Sequence, residues 1–191
     1  AVIEEINSRK IYLPAIQRKY VWDDDQITRL MDSIMLGYPI GTFLFWKVRK
    51  SIINKKEYSM YEFIKDFHER DVYKNPSAPQ PFPIGSDEET IWAVLDGQQR
   101  LTSLYIALQG SMSRKLPNKR WKNDDAFPIK ELYLDLHSQR TDEEDISYEF
   151  KFLTQEEAKK QKDDKLWYLV KDILKYSQDE LVTDLIIPNG W

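Results

Sequence analysis

The sequence predicts a mixed α/β domain of the α+β kind, with a small mixed sheet flanked by helices. Apolar residues recur at helical spacing in two stretches, Ile27, Leu30, Met31 and Ile34, then Leu101, Leu104, Tyr105 and Leu108. Short segments rich in β-branched and aromatic residues, 42–48 and 91–95, stand between those stretches and read as strands. The length of 191 residues suits one domain spanning 1–191. A chain of that size buries about 70% of its unfolded surface and needs no covalent staple.

Composition narrows the function classes. There is no cysteine, which excludes disulfide frameworks, thiol nucleophiles and zinc–thiolate sites. Lys and Arg number 28 against 32 Asp and Glu, a net charge of −4, and the pI is near 5.4. That balance argues against coating DNA by bulk charge while leaving a local basic patch open. No apolar run approaches the ~18 residues of a membrane helix, and no secretion signal is present, so a cytoplasmic domain with no membrane partner is expected. The chain starts at Ala1 without methionine and stops at Trp191, shortly after Ile186, Ile187 and Pro188, so it is expected to be part of a longer protein.

Along the chain, residues 11–22 form a β-branched and aromatic run with Pro14 near its start, expected to be extended and to lie at a sheet edge. Asp23 with Gln26 has capping-box spacing, Trp22 and Ile27 stand at the positions of a hydrophobic staple, and Gly37 closes the helix. Met60, Phe63, Ile64 and Phe67 repeat at helical spacing, so residues 50–90 are expected to be a helical and Pro-rich insertion. Its part from 71 to 90 holds Pro76, Pro79, Pro81 and Pro83 without periodicity, as in lids or disordered insertions. Residues 91–95 carry no charge and read as a strand covered on both faces. Leu132, Leu134 and Leu136, then Tyr148, Phe150 and Phe152, alternate with polar or half-polar residues. They read as two half-exposed strands forming an antiparallel pair. Thr154 with Glu157 is a further capping box, and 166–176 fits either a helix or a strand.

Chemistry concentrates where the 91–95 strand turns into the following helix. Gly97 stands at that reversal, where glycine enters positive φ without steric cost. Asp96 with Gln99 has capping-box spacing and would fix the helix start. The N-terminus of a helix offers unpaired N–H groups and partial positive charge, and Arg100 adds a planar fork suited to phosphate oxygens. An arginine in the first turn opposes the macrodipole by about 0.3–1 kcal/mol, a cost that a bound anion would offset. The plain reading keeps Asp96 as a cap and Arg100 as half of a surface ion pair. The density of donors in Gln98, Gln99 and Arg100 and a second polar pair, Gln17 and Arg18, favour a two-arginine phosphate clamp instead.

Other features carry less. His68, at an expected helix end, and His137, after a strand, form no nuclease or zinc-protease pattern, and no P-loop is present. The basic run from Arg114 to Lys122, with Trp121 inside it, suits either a DNA backbone or a solvated loop. Asp142, Glu143, Glu144 and Asp145 read as a solvated connector. Tyr20 and Trp22 could stack on a base, although Trp22 has its staple role.

The runs LPAIQRKYVW at 13–22, GYPIG at 37–41 and LDGQQRLTSL at 95–104 resemble the DGQQR-containing N-terminal domain of GmrSD-type restriction enzymes, bacterial modification-dependent (type IV) anti-phage systems. The resemblance implies a ParB/sulfiredoxin-like core that binds a nucleoside triphosphate with Mg²⁺ and hydrolyses it. That step would regulate cleavage of modified phage DNA by an HNH-type nuclease domain in cis or in trans. Sulfiredoxin's own chemistry is excluded by the lack of cysteine. Carried over by position, Gln17 and Arg18 form one half of the nucleotide site. Asp96, Gly97, Gln98, Gln99 and Arg100 form the other, with Thr102 beside them. Arg18, Asp96 and Arg100 are the candidate catalytic residues, and Asp96 is the candidate Mg²⁺ ligand, with a plain cap as its other role. The alternative function is a non-hydrolysing sensor or DNA-binding module that recognises modified DNA.

Overall fold

The structure, a computed structural model, describes residues 2–15, 19–54, 59–71, 90–138, 147–160 and 165–176. Helix α1 (Val2–Asn7) leads through Arg9, at φ 57, into strand β1 (Ile11–Pro14), which is buried throughout. Helix α2 (Asp24–Met35) starts as its sequence demands. The Asp23 carboxylate accepts from the Gln26 N–H at 2.8 Å, and Gln26 Oε1 accepts from the Asp23 N–H at 3.0 Å. It ends in a Schellman arrangement, with Gly37 N–H donating to Ile34 O and Tyr38 N–H to Ser33 O. Ile27, Leu30 and Met31 are buried, whereas Ile34 at the last turn faces solvent.

Strand β2 (Leu44–Arg49) runs into the short helix α3 (Lys50–Asn54). The expected helix through Met60 and Phe67 is instead two strands, β3 (Met60–Tyr61) and β4 (Asp66–His68), followed by a 3₁₀ turn. Their partners are remote in sequence, β1 for β3 and β6 (Ser111–Ser113) for β4, so pairing overrides the local period. Strand β5 (Thr90–Asp96) passes through Gly97 into α4 (Gln98–Gln109).

The main sheet has the order β2-β5-β1-β3. The β1 segment is therefore interior rather than at an edge, flanked by β5 and β3, with Pro14 closing the strand. Because β1 and β5 are parallel and β2 is antiparallel to β5, three connections meet at one end of the sheet. They are the exit of β1, the entry to β2 and the β5–α4 turn. Ligands of α/β sheets bind at such carboxyl ends of parallel strands.

The remaining strands form a three-stranded antiparallel sheet, with β7 (Glu131–Asp135) between β8 (Phe150–Leu153) and β9 (Trp167–Leu169). The expected pairing holds, with Leu132 opposite Phe152 and Leu134 opposite Phe150. Strand β8 alternates as read, but β7 is covered on both faces, since Leu132, Tyr133 and Asp135 are all buried. Helix α5 (Gln155–Lys159) starts with the Thr154–Glu157 capping box. The ambiguous segment divides into β9 and a 3₁₀ turn over Val170–Lys175.

Helix α4 joins two cores. Leu101 and Tyr105 pack with Ile6, Ile11, Leu13 and Val94, while Ile106 and Ala107 pack with Tyr20, Ile27, Met112 and Leu132. Covered on two sides, it is held rigidly behind the β5–α4 turn. No helix among the described residues is long and apolar enough to cross a membrane.

Candidate functional site

A cleft of about 200 Å³ opens at the convergent end of the sheet, lined by Trp22 and by every residue from Leu95 to Arg100. Gly97 occupies the left-handed region at φ 84, ψ 12 and is itself the residue preceding the helix. This corrects the expected Asp96–Gln99 capping box. Asp96 is the last residue of β5, and no side chain among the described residues caps α4. The first N–H groups of α4 thus have neither an intrahelical partner nor a side-chain partner among the described residues, and the residues that bear them line the cleft.

The two glutamines are bound to backbone. Gln98, 8% exposed, donates from Nε2 to Val94 O at 2.5 Å and ties the helix start to its own strand. Gln99 works across the cleft, donating from Nε2 to Lys19 O at 3.1 Å and accepting at Oε1 from Val21 N–H at 3.0 Å. A carboxamide is a peptide unit in miniature, and here it pairs with the chain leaving β1 as a short strand would. Ser103 Oγ donates to Gln99 O at 2.8 Å and lies 2.7 Å from the Tyr20 hydroxyl. Burial holds that phenol well above its ordinary range, so Tyr20 is a core residue and not a stacking platform.

Arg100 is held as firmly. Nη1 donates to Ile40 O, Nη2 donates to Thr42 O at 2.8 Å, and the Phe43 ring lies 5.0 Å from Cζ. Asp96 Oδ2 is 3.6 Å from Nη2, with its side chain 69% exposed. The turn carbonyls and this carboxylate offset the macrodipole cost of a first-turn arginine, a role the sequence assigned to a bound anion. Thr102, 2% exposed, faces the core and does not line the cleft. Gln17 and Arg18 lie outside the described residues, as do the Pro-rich stretch 72–89 and the acidic residues 142–145. Their nearest described neighbour, Lys19, is the residue that Gln99 holds.

The rival features have structural partners. His68 is on β4 rather than at a helix end, 4.8 Å from the Phe127 ring and 3.7 Å from Asp71. Within the basic run, Arg114 pairs with Asp24 at 2.6 Å and donates to Trp22 O, so it pins the start of α2. Lys119 pairs with Asp125 at 2.8 Å. Among the described residues no group of three or more acids or histidines is placed to hold a metal.

Sequence inspection overlooked the turn from Ile40 to Thr42 as part of the site. The GYPIG run held the signal, since Gly41, at φ 84, supplies the bend that points two carbonyls at Arg100.

Fold and cleft together define a mixed α/β domain whose strand–glycine–helix turn lies at the carboxyl end of a parallel strand pair. Compared with protein families, residues 2–189 match the N-terminal domain of the GmrSD restriction endonucleases, and the chain belongs to that family. No curated protein matches it.

Proposed function

We propose that this domain binds and hydrolyses a nucleoside triphosphate at the α4 cleft, as the regulatory part of a bacterial modification-dependent anti-phage restriction system acting in the cytoplasm. One observation carries the reading: an uncapped helix N-terminus opens onto a cleft beside an arginine already fixed in place. Unpaired N–H groups at the positive end of a helix suit phosphate oxygens. The Gly97, Gln98 and Gln99 amides would hold those oxygens, with Arg100 donating from N–H groups not spent on the turn. Arg18, carried on the segment leaving β1, would neutralise charge that develops on the transferred phosphoryl group.

The donor set fits Mg²⁺ arriving with the phosphates, an ion commonly held by only one or two protein carboxylates besides those phosphates. Asp96 is the acid lining the cleft and would meet the ion there. When bound, Mg²⁺ would neutralise phosphate charge. Thr102, facing the core, is left out of the site. The HNH-type nuclease and the modified DNA would belong to other parts of the system.

Calorimetry with nonhydrolysable nucleotide analogues and Mg²⁺, followed by phosphate-release assays, tests this. Binding is expected, and Arg100→Ala should weaken it by about tenfold to a hundredfold, the worth of a charge-assisted hydrogen bond. No binding to any analogue would remove the proposal. Binding without phosphate release, unchanged by added DNA, would leave the nucleotide as a structural ligand of a DNA-sensing module.

A further inference from the structure

We infer that the turn Ile40–Gly41–Thr42 is the positioning element of the cleft, and that Gly41 acts on phosphate binding through Arg100. The inference rests on the phosphate reading of the cleft given above. A guanidinium on a long side chain samples many rotamers and loses that freedom when it grips a ligand. In this protein the freedom is removed beforehand. The Ile40 and Thr42 carbonyls take one N–H from each terminal nitrogen, and the Phe43 ring lies 5.0 Å from Cζ. A guanidinium has five N–H donors, so the two carbonyl bonds leave others for a ligand.

Gly41 is the residue that permits this. Its φ of 84 lies where side chains are strained, and a Cβ there would overlap Arg100 Nη1 and stand 3.2 Å from Cζ. The same packing extends to the β5–α4 turn. A Cβ at Gly97 would come within 2.5 Å of Phe43 Cδ1 and 3.2 Å of Arg100 Nη2. Two glycines from separate connections therefore close on one arginine–phenylalanine pair. The α2–β2 connection is thereby built into the site without touching a ligand.

The test is a double-mutant cycle on the whole chain, with Gly41→Ala, Arg100→Ala and both together. The probe is inorganic triphosphate, which presents the phosphate chemistry without a base. Gly41→Ala is expected to weaken triphosphate binding about tenfold, an effect comparable to a lost charge-assisted hydrogen bond. In the Arg100→Ala background the same substitution should change affinity less than twofold. Equal losses in both backgrounds, or no loss in the first, would overturn the inference, because Gly41 would then act on the fold alone or not at all.

Thermal midpoints of the same four proteins give a readout without ligand. Gly41→Ala should lower the midpoint less when Arg100 is truncated, since the overlapped atoms are gone. Should the parent protein bind neither triphosphate nor a nucleotide analogue, the phosphate reading fails, and the melting cycle alone decides whether Gly41 acts through Arg100: coupling supports it and additivity refutes it. Should Gly41→Ala not fold, Phe43→Leu takes its place in the cycle, with a smaller affinity loss that again vanishes beside Arg100→Ala.

Discussion

At Gly97 the chain leaves β5 with a left-handed backbone and the Phe43 ring pressed where a Cβ would be. Left-handed φ at a non-glycine residue costs about 1–2 kcal/mol, and displacing Phe43 adds to it. Gly97→Ala should therefore lower stability by about 2–4 kcal/mol in urea unfolding; a change below about 0.5 kcal/mol would show that the turn relaxes freely. Asp23 offers a milder case, since its carboxylate caps α2 from an exposed position. Asp23→Ala should cost about 1 kcal/mol by the same measurement. Asp23 and Asp96 together mark the limit of reading caps from spacing. Both precede a helical pattern with glutamine three residues on, yet only Asp23 caps. Asp96 is kept in the sheet by its pairing with Leu44, which hands the reversal to Gly97. A remote strand decided what the local motif could not.

Between elements, the Gln99 side chain ties the start of α4 to the backbone of the segment after β1. Its carboxamide makes two hydrogen bonds to the Lys19 and Val21 backbone, each worth about 1 kcal/mol net. Replacing it with Ala should leave the core of α4 intact but release Val21 N–H. Hydrogen exchange at that amide should then speed up by about tenfold or more, while Ile106 exchange changes little. Equal acceleration at both sites would mean that the clasp supports the whole helix. The start of α2, the α5 capping box, the β5–α4 succession and the β7–β8 pair were legible because each depends on neighbours within a few residues or on plain alternation. The segment from Met60 to Phe67 was not, since its apolar residues satisfy a helical period while their backbone groups are claimed by β1 and β6. The site divides likewise. The DGQQR run announces the cleft, but the carbonyls that fix Arg100 belong to backbone and leave only Gly41 as a trace.

Across the whole molecule, two separate clusters of buried side chains each contain a tyrosine whose hydroxyl has been taken out of water. Tyr12, 1% exposed, is pushed up to about 12, chiefly by burial and next by the Glu62 charge. Tyr20, in the cluster beside α4, is raised further, again by burial. The sign follows from which form the fold favours. An unfolded phenol ionises near pH 10, whereas the folded one stays neutral, so the unfolded chain releases protons first as pH rises. The stabilisation is complete below about pH 10 and is lost as pH climbs towards 12, at about 1.4 kcal/mol per pH unit for each such phenol. For Tyr12 that window spans about two units and removes on the order of 2–3 kcal/mol. The midpoint of urea unfolding should hold steady from pH 8 to 9.5 and fall steeply above 10. Tyr12→Phe, which has no proton to lose, should shallow that fall by close to one proton per molecule, and Tyr20→Phe should do the same independently. The two effects should add, because the phenols sit in separate clusters that share no residue. A slope unchanged in both variants would mean that neither hydroxyl is shut away from solvent as the packing of the two clusters requires.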